Sequence, residues 1–296
     1  MTDERHELAE RFEGHRAHLR AVAYRMLGSL AEADEAVQDT WLRASRAGAE
    51  GVENVGGWLT TIVARVCLNL LQARTVRQAE ARAVRLPEQI VTPASAPDPE
   101  AEALLADSVG LALQIVLETL PPAERLAFVL HDMFDIPFDE IAPMVGRTST
   151  AARQLASRAR RRVQGAALPT PDADLDRQRE VVDAFFAAAR RGDFDALVTL
   201  LDPDVVLRSD GGEGRPTLTF VRRGAAEVAR SALVGAMPAA VLHPARINGL
   251  AGVVVTLKGR PFAVMGFVVV RGKIVEIDGV LDPERLQRLD LSRLDG

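Results

Sequence analysis

Two proline-bearing stretches, residues 86–99 and 165–174, constrain this chain more than any other feature. The first carries four prolines, Pro87, Pro93, Pro97 and Pro99, among small and polar residues. Each removes a backbone donor and fixes φ, so the stretch reads as an extended connector that cannot continue a helix. The second, GAALPTPDAD, reads the same way. Before the first break and between the two, aliphatic residues and alanines recur at three and four, and Gly28, Gly48, Gly51, Gly56 and Gly57 mark interruptions. Beyond the second break the texture changes to short β-rich runs. A chain of 296 residues punctuated this way is long enough for two or three units. The expected organisation is a helical domain over 5–85, a proline-rich linker over 86–101, a second helical domain over 102–164, a linker over 165–174 and an α+β domain over 175–296.

The last unit begins with an amphipathic helix at 180–191. Runs at 205–208, 217–221, 252–258, 262–270 and 273–277 follow, separated by glycine turns. The clearest hairpin signal is MGFVVV-Arg271-Gly272-KIVEID. A helix followed by an antiparallel sheet makes this unit α+β. The fold class is therefore multi-domain, two all-α units and a C-terminal α+β unit.

Charge distribution says more than net charge. The formal charge of −5 opposes nucleic-acid binding, yet residues 147–163 hold six arginines (147, 153, 158, 160, 161, 162) and no acid. Residues 65–85 hold five arginines (65, 74, 77, 82, 85) against Glu80 alone. Two basic segments on an acidic chain point to two local DNA contacts and a separate surface for another partner. Cys67 has no second thiol to pair with, and five scattered histidines offer no usual zinc spacing. The N-terminus MTDERHELAERFEGHR lacks an apolar leader core, and no stretch reads as a membrane span of about 20 apolar residues. These features lead to the expectation of a cytoplasmic protein without membrane, metal or cofactor.

Residues 138–163 carry a helix-turn-helix pattern. Ala142 is small where two helices cross, and Gly146 falls where a tight turn favours positive φ. Pro143 is tolerable if it lies near the entry of the first helix. Thr148 or Ser149 caps the second helix, Ala152 and Leu155 face inward, and Ser149, Thr150, Arg153, Gln154, Ser157, Arg158 and Arg161 face outward. These donors suit base edges and phosphates.

At this point residues 8–164 resemble an extracytoplasmic-function RNA polymerase sigma factor. The run 28–43, GSLAEADEAVQDTWLR, is similar to the helix that docks on the largest subunit of core RNA polymerase. By that resemblance Asp34, Glu35, Gln38 and Asp39 face the polymerase. Residues 54–74 resemble the segment that captures the melted minus-10 element, and the resemblance implies strand contacts by Asn54, Arg65, Asn69 and Arg74. Trp58 can stack on a base, but its helical spacing from Ile62 favours a core role. The helix-turn-helix corresponds to the reader of the minus-35 element. The implied partners are core RNA polymerase and promoter DNA.

The C-terminal unit resembles the SnoaL-like fold, a curved sheet wrapped by helices into a cone whose cavity can hold a small-molecule ligand. A subgroup of these sigma factors carries such an extension and is controlled by it in cis. Leu86-Pro87-Glu88 resembles that subgroup's linker signature, with Arg85 where a tryptophan is usual. Asp210-Gly211-Gly212 resembles its Asp-Gly-Gly-Gly motif, and Asp282-Pro283-Glu284-Arg285-Leu286 its tail motif by charge type. These residues are the expected regulatory contacts.

Because the fold also hosts isomerases, Asp210, Asp278, Arg208 and His243 are the candidates for acid–base chemistry. Asp210 and Asp278-Gly279 read as turns, His243 precedes Pro244 outside any visible pairing, and the sole tyrosine, Tyr24, lies in the first domain. The reading is that the chain has no catalytic residues and is a sigma factor; the alternatives are a helix-turn-helix repressor or an isomerase-like enzyme with a DNA-binding module.

Overall fold

The computed structural model describes residues 2–77, 85–94, 111–166 and 169–288. The chain divides into two compact units, one of Met1–Ala81 with Glu102–Leu168, the other of Arg82–Ala101 with Pro169–Gly296. Both helical stretches thus share one unit, and the proline-rich connector belongs to the other.

The helical unit opens with α1 (Thr2–Leu27), α2 (Leu30–Ala47) and α3 (Val55–Arg77). Gly28 turns out of α1 at φ +72°, and Ser29 caps α2 by accepting from the Glu32 amide at 3.4 Å. The window Val55–Ala73 of α3 is long and apolar enough to cross a membrane, which the sequence reading did not credit; half of it is buried in this unit. Leu59, Val63, Val66 and Cys67 form its inward face, against α1 and α2.

After α4 (Leu111–Glu118), α5 (Pro122–Phe128) starts with proline at its first position and passes into a π-helical turn at Val129–Met133. The wider turn ends where Asp135 takes φ +54°, and the Ile136 amide reaches back to the Leu130 carbonyl at 2.9 Å. Next come α6 (Phe138–Met144), Gly146 at φ +63° and α7 (Ser149–Gly165). Pro143 is the penultimate residue of α6 and not at its entry. It is tolerated because it is exposed, so water can satisfy the carbonyl it leaves without a donor. Helices α1 and α3 pack against α4, α5, the π-turn and α6.

The second unit holds β1 (Val91–Pro93), α8 (Leu175–Arg191), α9 (Phe194–Leu200), β2 (Leu201–Asp210), a 3-10 turn at Pro216–Leu218 and β3 (Phe220–Arg223). Then follow α10 (Ala225–Gly235), β4 (Ala240–Ile247), β5 (Leu250–Leu257), β6 (Arg260–Val270), β7 (Lys273–Val280) and α11 (Pro283–Leu286). The seven strands run β1-β4-β5-β6-β7-β2-β3, with β2 and β7 the parallel pair. The turns Asn248-Gly249, Lys258-Gly259 and Arg271-Gly272 all have both φ positive. That is the two-residue geometry whose twist matches paired strands, so β4 to β7 form a continuous meander. Only the third was expected.

Strand β4 was missed because of Pro244. In the structure β1 covers β4 only from Ala245 to Ile247, so the proline lies just past the paired stretch and displaces no ladder bond to β1. Helices α8, α9 and α10 close over one face of the sheet around Val182, Phe185, Leu197, Val228, Phe267 and Ile277. Phe185, Phe186 and Phe267 meet edge-to-face within it, centroids 5.5 to 5.7 Å apart, on the side where the cone's cavity was expected.

Candidate nucleic-acid interface and docking site

Helix α7 presents a polar, arginine-bearing face to solvent. Thr148 caps it, accepting from the Ala151 amide at 3.2 Å, and its inward stripe is Ala152, Ala156 and Ala159, with Leu155 half-buried. Small residues let α7 lie close on α5 and α6. Thr150, Arg153, Gln154, Arg158 and Arg161 are exposed, while Ser149 and Ser157 are half-buried. Ser149 donates to the Asp139 carboxylate, and Arg153 lies over the Phe138 ring at 5.4 Å.

The arginine run on α7 divides in two. Arg158 Nε donates to Glu124 Oε1 at 2.8 Å, and Arg162 lies 3.7 Å from the other oxygen of that carboxylate, whose side chain is 9% exposed. Arg160 pairs with Asp132. The expected outward role of Arg158 is therefore shared with a structural one, because a nearly buried carboxylate needs a cation beside it.

On α3, Arg65 and Asn69 are exposed on the face opposite the buried stripe. Arg74 lies in the same helix, but its side chain is outside the described residues. Asn54 caps α3, its Oδ1 accepting from the Gly57 amide at 2.9 Å. Trp58 is half-buried. On α2, Asp34, Glu35 and Gln38 are exposed and Asp39 half-buried, forming the expected acidic edge. Arg20 holds Asp34 at 2.6 Å and Arg43 holds Asp39 at 2.8 Å.

The motif residues of the second unit converge at one end of the sheet. Asp210 ends β2, buried, and one carboxylate oxygen accepts from the Leu86 amide at 2.9 Å and from Arg285 at 3.0 Å. Its other oxygen accepts from the Gly212 amide at 3.0 Å. Arg285 also donates to the carbonyls of Leu86 at 2.8 Å and Pro87 at 2.7 Å. The guanidinium thus bridges a carboxylate and two backbone acceptors of the connector, a charge-assisted set.

Around this core, Asp282 caps α11 by accepting from the Glu284 amide at 3.0 Å. A Cβ on Gly212, at φ +59°, would sit 2.4 Å from the Asp282 carboxyl, and one on Gly211 would meet the Arg215 carbonyl at 2.0 Å. Leu286 is buried with Ala245, Ile247, Val254 and Val264, and Val91 packs on them. Glu88 is half-buried, Glu284 exposed, and Pro283 forms the first turn of α11.

Sequence reasoning missed three residues here and misjudged a fourth. Asn248 exchanges two hydrogen bonds with Ile90, both at 2.8 Å, and Gln89 donates to the Asp278 carbonyl at 3.2 Å. Arg215 ties the glycine loop to the carbonyls of Phe262 and Leu281, each at 3.0 Å. Arg208, weighed only for chemistry, is structural. The dipeptide Asn248-Gly249 was the available signal for the first of these.

Asp278 and Asp210 correct the turn reading. Asp278 lies within β7, 1% exposed, 2.9 Å from Arg208, which also pairs with Glu276 at 3.2 Å. Burial pushes the Asp278 carboxyl up to about 6 against the pull of Arg208, since one guanidinium serves two carboxylates. His243 is also partnered, 3.0 Å from Thr256 Oγ1 across β4 and β5.

Comparison with known proteins accounts for both readers. Residues 11–77 match Sigma-70 region 2 and residues 111–163 match Sigma-70, region 4. The ECF RNA polymerase sigma factor SigJ of Mycobacterium tuberculosis is 41% identical over 220 residues, 74% of this chain and 70% of that protein. The probable ECF RNA polymerase sigma factor SigI of the same species is 32% identical over 279 residues, 94% of each chain. The crystal structure of SigJ aligns with a TM-score of 0.73 at 33% identity, covering 94% of this chain and 98% of that one, so the α+β unit is part of the shared architecture. These matches, on a scaffold with α2, α3 and α7 in the same order, make the chain a member of the extracytoplasmic-function RNA polymerase sigma factors, which bind core RNA polymerase and promoter DNA to direct initiation and act without catalysing a reaction of their own.

Proposed function

We propose that the C-terminal unit controls this sigma factor in cis by holding the connector between its two promoter-reading regions. The observation that supports it is the capture of the Leu86 amide by Asp210 and of the Leu86 and Pro87 carbonyls by Arg285. Backbone recognition of this kind fixes where the connector lies whatever its side chains do. Held in this way, residues 85–94 are unavailable as free length between the readers.

Within that scheme, Arg65, Asn69 and Arg74 with Asn54 contact the minus-10 strand. Ser149, Thr150, Arg153, Gln154, Ser157, Arg158 and Arg161 serve the minus-35 element, and Asp34, Glu35, Gln38 and Asp39 meet the polymerase. The Leu86-Pro87-Glu88 segment, Asp210-Gly211-Gly212 and residues 282–286 form the regulatory contact. The protein acts in the cytoplasm, where its polymerase and promoter are.

The test is run-off transcription with core RNA polymerase on a fragment library of the native genome. Full-length protein is compared with Arg285→Ala and with a chain ending at residue 281. Promoter-specific transcripts rise several-fold when the connector is released. Equal yields from all three forms overturn cis-control.

A further inference from the structure

The π-helical turn at Val129–Met133 and the first turn of α6 bring His131 and Phe138 up to Arg153 of α7. The two rings pack with centroids 3.8 Å apart, and the Arg153 guanidinium carbon lies over the Phe138 ring, 5.4 Å from its centroid. The rings are themselves anchored. His131 Nδ1 donates to the Ile136 carbonyl at 3.0 Å, and the Ile136 amide is bound to the Leu130 carbonyl at 2.9 Å. One residue past Phe138, Asp139 accepts from the Ser149 hydroxyl, which ties the first turn of α6 to the first turn of α7. Ser149 and Arg153 are four positions apart, so both lie on the same face of α7.

Arg153 is held differently from its neighbours on that helix. Arg158 and Arg162 share Glu124, Arg160 has Asp132, and Arg161 turns back to the Ser157 carbonyl at 3.5 Å. Among the described residues no carboxylate pairs with Arg153. A carboxylate partner offsets the charge and must be given up or shared when a phosphate arrives. An aromatic face does neither: it attracts the cation within about 6 Å of its centre and leaves the planar fork of N–H donors directed outward. An arginine free to sample its rotamers loses that freedom on binding, at a cost of roughly two- to tenfold in affinity. One already ordered against a ring has lost it beforehand.

We propose that Phe138 is a positioning residue for promoter recognition: its ring, packed on His131, holds the Arg153 guanidinium in place before DNA arrives. The inference rests on the reading that α7 serves the minus-35 element through Arg153. It is independent of connector docking, since every contact lies within α6, α7 and the turn that precedes them.

The test uses holoenzyme assembled from core RNA polymerase and the full-length chain, on a promoter fragment recovered by run-off transcription and on the same fragment with its minus-35 element scrambled. Phe138→Leu keeps apolar bulk but removes the ring face. It lowers affinity for the native fragment by about two- to fivefold, leaves the scrambled fragment unaffected and preserves the salt slope, since the Arg153 charge remains. Phe138→Tyr restores the affinity. With Arg153→Ala already in place, Phe138→Leu has no further effect, because the ring has nothing left to position.

Melting establishes whether Phe138→Leu is folded, and a measurement on the parent chain decides the matter if it is not. In full-length protein carrying isotope-labelled arginine, the Arg153 Nε resonance is identified by its loss in Arg153→Lys, and its fast motion is compared with that of exposed Arg147. Arg153 is the more restricted of the two; equal mobility overturns the inference. So does unchanged native affinity in folded Phe138→Leu, or an equal loss on the scrambled fragment or in the Arg153→Ala background, any of which makes the ring merely structural. An Arg153→Ala holoenzyme that binds normally overturns the assignment of Arg153 to the minus-35 element as well, which separates the two failures.

Discussion

The charges on α7 and those at the end of the sheet are opposite solutions to handling arginine. Arg153 and Arg161 stand exposed on α7, their charges turned to water. Arg285 is 14% exposed and bound to Asp210, itself 5% exposed, and to two connector carbonyls. A charge meant for an outside partner must remain cheap to hand over, whereas a charge that fastens the chain to itself is kept from water so that its removal is costly. Arg158 stands between them, exposed yet tied to Glu124.

The sharpest break of that contrast is Asp210→Ala. It strips the acceptor from Leu86 and leaves Arg285 buried without its counter-charge, and the second unit loses about 3–5 kcal/mol in denaturant unfolding. Near-normal stability would mean that the site is solvated like α7. Next in size is the pH dependence of Asp278. Its carboxyl is raised from an ordinary 3.8 to about 6, so the folded state holds the proton more tightly than the unfolded chain. The sign follows: stability from this group is greatest below about 4, is lost as pH rises toward about 6, and is flat above, a span of about 3 kcal/mol. Asp278→Asn therefore gains on the parent between pH 5 and 7 in parallel melts, and parallel curves would show that Arg208 keeps the carboxylate ionised throughout.

Smaller again is Gly212→Ala, which forces a side chain into positive φ and against Asp282 and costs about 1–3 kcal/mol in the same unfolding experiment. The finest distinction is on α7 itself. Arg158→Ala lowers stability by about 1 kcal/mol, because the exposed partner of the pair is partly screened. Arg153→Ala leaves the melting temperature within error and instead lowers the salt slope of DNA binding by about one. Interchanged outcomes would mean that the two arginines have been assigned backwards.

Much of the fold was legible locally. The Arg271-Gly272 hairpin follows from a turn that tolerates two positive φ values between alternating strands. Thr148 and Gly146 mark the boundary of the reader because capping and left-handed turns are properties of a few neighbouring residues. The docking residues Leu86, Asp210 and Arg285 were reached through motif resemblance, and no periodicity indicated that they meet.

The amino-acid sequence by itself determined the texture of each stretch: which segments are helical, where proline stops them, which faces carry arginine or acid. Tertiary structure alone decided that Asp278 lies inside a strand beside Arg208, that Val91–Pro93 adds to the edge of a sheet built from residues more than 100 positions later, and that Arg125 closes the end of α1. The physical reason is range. Helix, turn and cap are set by interactions over about four residues, whereas the burial of a charge is set by partners that only the folded chain brings within 3 Å.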